Sequence, residues 1–88
     1  MKIQLSKFGR VLVYRPAGKE ACAEMKAYFR PLDKLERIEL DFTGVQVMTP
    51  SWLEEVLTGL REKFGDRVRC LPSDNASVIA SLKTLEKE

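Results

Sequence analysis

Residues 38–53 leave this chain few ways to fold. Ile38, Leu40 and Phe42 alternate with Glu39 and Asp41, the two-residue period of a strand with one buried face. Gly44 breaks the run, and Val45 and Val47 stay apolar inside a short connection. Thr49-Pro50 then signals a helix start, because proline's fixed φ suits the first helical position and its missing N–H would be unpaired there anyway. Ser51 accordingly falls in the first turn of a helix at the carboxyl end of a strand. Open α/β sheets usually meet ligands and partners at that edge.

The flanking sequence supplies matching elements. Lys2-Ile3-Gln4-Leu5 alternates as a short edge strand, and Lys7-Phe8-Gly9-Arg10 reads as a hairpin connection. Val11-Leu12-Val13-Tyr14 is dense enough in apolar residues for a strand with neighbours on both sides. Arg15-Pro16 opens a helix whose apolar stripe is Ala21, Cys22, Met25, Tyr28 and Phe29. Pro31 stops it, and Asp33-Lys34-Leu35 turns into the central strand. After Pro50, the residues Leu53, Val56, Leu57, Leu60 and Phe64 recur at helical intervals until Gly65 caps the run. Arg67-Val68-Arg69-Cys70-Leu71 alternates as the last strand. Pro72-Ser73-Asp74-Asn75 supplies a turn and a helix cap, and Val78, Ile79, Leu82 and Leu85 then mark a final amphipathic helix.

This order implies an α/β fold with parallel pairings and right-handed crossovers after the initial hairpin. Helices on both sheet faces would demand near-continuous apolar strands. Lys2, Gln4, Arg37, Glu39, Arg67 and Arg69 occupy the alternate positions instead. The expected architecture is a small two-layer sandwich: a four-stranded, mostly parallel sheet with an initial hairpin and three helices mainly on one face. Residues 1–88 make a single domain, since 88 residues hold one modest core.

Chemistry is restricted by what is missing. Histidine is absent, which removes Ser-His and Cys-His nucleophile pairs and imidazole zinc sites. Cys22 and Cys70 have no metal-ligand spacing and read as reduced core thiols. No catalytic residue, metal or cofactor is expected, and the chain reads as a non-enzyme. No apolar run approaches the ~20 residues that span a bilayer, and the first residues lack a signal peptide's apolar segment. A cytoplasmic location without membrane contact is the expectation. The net charge is +2, with nine Lys/Arg against four acids in residues 1–37 and six against nine in residues 38–88. Lys2, Arg67 and Arg69 form at most a small basic patch with no interleaved aromatics, so nucleic acid is not an expected partner.

The run Ile38-Glu39-Leu40-Asp41-Phe42-Thr43-Gly44-Val45, followed after three residues by Thr49-Pro50-Ser51-Trp52-Leu53, resembles the STAS superfamily of sulfate-transporter and anti-sigma-factor-antagonist domains. It is closer still to the STAS-like family of unknown function, whose members carry Leu-Asp-Phe, Gly-Val and Ser-aromatic at these places. Gly9-Arg10, Arg15 and Asn75 also fit that family. Characterised STAS relatives are bacterial switch proteins. In them a serine at the position of Ser51 is phosphorylated by a kinase-type anti-sigma factor, and only the unmodified form binds that kinase. The resemblance implies Ser51 as phosphoacceptor, with Thr49, Pro50, Trp52, Glu55 and Arg15 on a docking edge. It also implies a histidine-kinase-like ATPase or anti-sigma-type protein as partner. The chain departs from the superfamily's Asp-Ser-Ser-Gly-Leu at Thr49, Pro50 and Trp52.

The residues themselves leave alternatives open. Ser51 is either the phosphoacceptor or a helix-start serine whose hydroxyl satisfies first-turn N–H groups. Trp52 is either an interface anchor or the closure of one end of the core. Asp41 reads as a strand-end cap rather than a catalytic acid paired with Asp74 or Glu55, and Arg15 pairs with Asp41 or with a partner's acid. A phosphate on Ser51 would gain about 0.3–1 kcal/mol from the helix N-terminus. Glu54 and Glu55 would cost it about 0.2–0.5 kcal/mol each, and more for a doubly charged group. Two functions remain: a phosphoregulated protein-binding module, or a constitutive interaction domain that forms homodimers or larger oligomers through its open sheet face or an exposed strand edge.

Overall fold

The computed structural model of the chain describes residues 1–28 and 36–86. Phe29, the helix stop at Pro31 and the turn over residues 33–35 lie outside them. Strand β1 (Lys2–Gln4) leads through a 3-10 turn over Leu5–Phe8 to β2 (Val11–Leu12) and helix α1 (Arg15–Tyr28). Then follow β3 (Ile38–Asp41), β4 (Val47–Met48), α2 (Pro50–Phe64), β5 (Val68–Cys70) and α3 (Ala76–Glu86).

The three helices and the parallel pairings match the expectation; the strand layout does not. Among the described residues there are five strands in two sheets, one in the order β1-β3-β5 and one of β2 beside β4. Every pairing is parallel, so the expected hairpin is absent. The physical reason lies in the 3-10 turn. Leu5 is fully buried there, and Gly9, at φ 131° and ψ 166°, then redirects the backbone. The chain therefore does not turn back along β1 but enters a second sheet. There β2 finds Val47 and Met48, which sequence reading had left inside a connection.

One face of the larger sheet is apolar. Ile3, Ile38, Leu40 and Val68 are buried and join a core with Ala21, Cys22 and Met25 of α1 and Leu53, Val56, Leu57, Leu60 and Phe64 of α2. On the other face Lys2, Gln4 and Arg69 are exposed and Glu39 and Asp41 are half-buried. Lys2 lies opposite Glu39 and Glu39 opposite Arg69, so this face carries alternating sign rather than a basic patch. Arg67 is not part of an open patch either: its Nε donates to the Phe64 carbonyl and its guanidinium lies over the Phe64 ring.

The closest packing is between α1 and α2. A Cβ on Gly18 would stand 2.7 Å from the carbonyl oxygen of Trp52, and one on Gly59 would collide with the Cys22 sulfur. Both glycines therefore let the helices approach almost backbone to backbone. Cys22 is buried there, its Sγ 3.6 Å from the Val56 carbonyl, and burial pushes its thiol pKa up. Cys22 and Cys70 are not joined by a disulfide.

At the end of β3, Asp41 accepts hydrogen bonds from the Thr43 N–H (3.0 Å) and the Thr43 hydroxyl (2.8 Å). This closes the turn into Gly44, whose φ of 89° suits glycine and few other residues. These bonds, the N–H first, hold the Asp41 carboxyl below its ordinary range, with a smaller pull from Lys2.

Alanine at Gly18 gains up to ~1 kcal/mol in helix propensity, but overpacking a tight contact costs about 1–3 kcal/mol. Urea unfolding should show Gly18→Ala less stable than wild type by about 1–2 kcal/mol. Gly59→Ala should also destabilise, and Cys22→Ala should relieve part of that loss in a double-mutant cycle. Strict additivity would contradict the contact. Asp41 yields a pH prediction. An acid with a depressed folded-state pKa contributes stability that is complete above its unfolded value, about 3.9, and is lost as pH falls through the folded value. The stability gap between wild type and Asp41→Asn should therefore be largest near neutrality and shrink below about pH 4. A gap indifferent to pH would show that the carboxylate charge does not hold the turn.

Candidate docking site at the tip of α2

The start of α2 is held from two sides. On one side the Arg10 carbonyl accepts from the N–H groups of Gln46 (2.8 Å) and Val47 (3.0 Å), and the Leu12 carbonyl accepts from Thr49 N–H (3.0 Å). On the other side α3 takes the place of a neighbouring strand. Met48 N–H donates to Ser77 Oγ at 3.1 Å, and the buried Ser81 donates to the Met48 carbonyl at 3.2 Å. Asn75 caps α3 through Oδ1, which accepts from Ser77 N–H, Ser77 Oγ and Val78 N–H. Its Nδ2 donates to the carbonyls of Val45 (3.0 Å) and Gln46 (2.9 Å). One asparagine thus caps a helix and clamps the loop that delivers Ser51.

Thr49 is the N-cap residue, Pro50 the first helical residue and Ser51 the second, as the sequence implied. All three are half-buried. Thr49 makes no side-chain cap bond; its hydroxyl instead reaches the Val13 carbonyl at 3.2 Å and lies 3.1 Å from Ser51 Oγ. A hydroxyl has one proton, and the Val13 carbonyl can only accept. Thr49 therefore donates to Val13, and Ser51 donates to Thr49. Among the described residues the Ser51 hydroxyl bonds no first-turn N–H group; it donates to Thr49, whose own hydroxyl reaches Val13 just past β2.

Glu54 and Glu55 follow Ser51 by three and four residues and so share its face of the helix. Arg15, at the start of α1, donates from Nη1 to Glu55 Oε1 (2.9 Å) and to Glu54 Oε1 (3.2 Å). Arg15 pairs with these acids and not with Asp41. The bonds to Glu55 and then Glu54 raise its pKa above the ordinary guanidinium value. The cluster carries two negative charges against one positive. Such exposed pairs contribute little stability and orient the groups more than they hold the fold.

Trp52 is corrected. It is 1% exposed and packs in the core behind the tip, against Gly18, so its side chain cannot lie on a docking edge. Four residues before Val56, it shares that residue's buried face of α2 and meets α1 at Gly18. The surface holds a different set of apolar side chains: Val11 (58% exposed), Val13 (40%), Tyr14 (67%) and Val47 (42%). Val11 and Val47 are paired across β2 and β4 and face outward together. Sequence reasoning missed them because a dense apolar run in a short strand reads as buried, and no periodicity marks the exposed side.

Two open concavities lie elsewhere. One of ≈ 660 Å³ lies between residues 42–45 and residues 72–75; the other, of ≈ 730 Å³, runs between α2, β5 and α3 past Leu57, Leu82 and Leu85. Among the described residues no three His, Cys, Asp or Glu side chains are grouped to hold a metal ion, and no helix is long and apolar enough to cross a membrane.

No curated protein and no solved structure matches this chain. One protein family does, and its model covers residues 27–71, just over half of the chain and including β3, β4, the α2 tip and β5. The strand-to-helix passage that carries Ser51 lies inside that match, and the chain belongs to the family described as the STAS-like domain of unknown function (DUF4325).

Proposed function

We propose that this STAS-like domain is a non-enzymatic, cytoplasmic regulatory module that docks through the tip of α2 and is switched by phosphorylation of Ser51. The observation that carries the reading is the Ser51 hydroxyl itself: half-buried in the first turn of α2, bonded among the described residues to Thr49, on the face shared with Glu54 and Glu55, which Arg15 holds. Its partner is a histidine-kinase-like ATPase or anti-sigma-type protein, as STAS relatives suggest. Thr49, Pro50, Glu55 and Arg15 form the edge that the partner contacts, next to the apolar side chains of Val13 and Tyr14.

The switch follows from proton bookkeeping. A phosphoserine has no hydroxyl proton, so the bond that Ser51 donates to Thr49 is lost, while Thr49 keeps its own bonds to Val13 and Leu12. The added charge, about −1.5 to −2, meets Glu54 and Glu55 on the same face, while the helix N-terminus and Arg15 draw it in. A tip with a new double negative charge no longer matches a surface that fits the unmodified one.

Two measurements test this. Intact-mass analysis after incubation with the cognate ATPase and ATP should show one added phosphate on wild type and none on Ser51→Ala. Equal labelling of both, or labelling of neither, contradicts the proposal. Ser51→Asp should weaken binding to that ATPase at least tenfold, about 1.4 kcal/mol, with an unchanged circular-dichroism spectrum. Trp52→Ala is not a fair test, because emptying that core position costs about 3–5 kcal/mol of stability by itself.

A further inference from the structure

Arg15 is bonded in a way that leaves most of its guanidinium unused. One nitrogen, Nη1, donates to both Glu55 Oε1 (2.9 Å) and Glu54 Oε1 (3.2 Å). Among the described residues Nη2 and Nε hold no bond. A guanidinium grips best through two nitrogens on two oxygens of one acceptor, so this contact is a weak hold on two separate carboxylates. All three side chains reach solvent, where such pairs exchange readily. Arg15 also lies near Ser51 at both of its ends. Its guanidinium touches Glu54 and Glu55, which follow Ser51 by one helical turn, about 5.4 Å, on the same face. Its backbone follows Val13 by two residues, and the Val13 carbonyl is joined to Ser51 Oγ through the Thr49 hydroxyl. The other charged residues nearby in the chain, Arg10 before β2 and Lys19 and Glu20 on α1, form no ion pair with the described residues.

We propose that a phosphate on Ser51 takes Arg15 from Glu54 and Glu55, so that Arg15 is the residue that reads the modification. This rests on Ser51 as phosphoacceptor and names what its phosphate meets. The phosphate brings three acceptor oxygens and a charge of about −1.5 to −2. It offers the two-oxygen seat that Glu54 and Glu55, each giving one oxygen, do not. Glu54 and Glu55 lose their shared cation and stay in water, which costs them little. The unmodified edge shows an arginine held between two acids. The modified edge shows that arginine folded onto the phosphate, beside two carboxylates without a partner.

The test uses the domain with phosphoserine placed at residue 51 by chemical synthesis, so that no kinase is needed. A phosphorus NMR titration reads the second phosphate pKa, ordinarily about 6. Arg15→Gln should raise that value by about 0.5–1 pH unit, because a cation beside the phosphate favours its doubly charged form. Arg15→Lys, which keeps the charge and loses the fork, should fall between the two. Glu54→Gln with Glu55→Gln should lower it. Lys83→Gln, which removes an exposed cation on α3, should leave it unchanged. The Arg15 Nε resonance should move between the unmodified and the phosphorylated domain. The proposal is overturned by an Arg15→Gln titration that matches wild type or is matched by Lys83→Gln, and equally by an Arg15 Nε signal that the phosphate does not move. Because the phosphoserine is installed and not made by an enzyme, this contact and the modification of Ser51 by the ATPase fail separately.

Discussion

The approach of α1 to α2 is the constraint from which the rest of the structure follows. Gly18 admits the backbone of Trp52, and Gly59 admits the sulfur of Cys22. Any side chain beyond hydrogen at either place would push the helices apart. With the helices this close, Trp52 is sealed in the core and α2 begins beside the end of β2. The position of Ser51 at the surface is thus a consequence of packing on the far side of the same helix.

Side-chain hydrogen bonds do at the rim what strands do in the sheet. Ser77 and Ser81 occupy the two backbone groups of Met48, and Asn75 holds both Val45 and Gln46. No buried side-chain nitrogen or oxygen among the described residues is left without a partner. The loop before α2 is therefore fixed in place although it adds only two residues of strand. A tip held this way presents a defined surface, which suits recognition, because little ordering remains to be done on binding.

Much of this was readable from residue order. The alternation of residues 38–42, the helical spacing after Pro50 and the polar face of the strands all report burial directly, and burial is what periodicity encodes. The family likeness rested on the same strand-to-helix passage. The hairpin was misread because a glycine turn between two apolar runs looks local, whereas β1 and β2 each pair with a strand some 36 residues further along the chain. Pairing at that separation leaves no mark on neighbouring residues. Ile79 and Tyr28 looked like stripe residues yet are exposed, while Ser81 is buried to serve Met48. A polar residue buried for its hydrogen bond cannot be told by pattern from one facing water.

The central claim is that the chain meets its partner at the tip of α2. The most direct measurement is the change in backbone amide NMR shifts of the isotope-labelled domain as the proposed partner, a histidine-kinase-like ATPase, is added. The account predicts changes concentrated on Arg15, Thr49, Ser51, Glu54 and Glu55. Changes confined to the polar sheet face at Lys2, Gln4, Glu39 and Arg69, with a silent α2 tip, would contradict it.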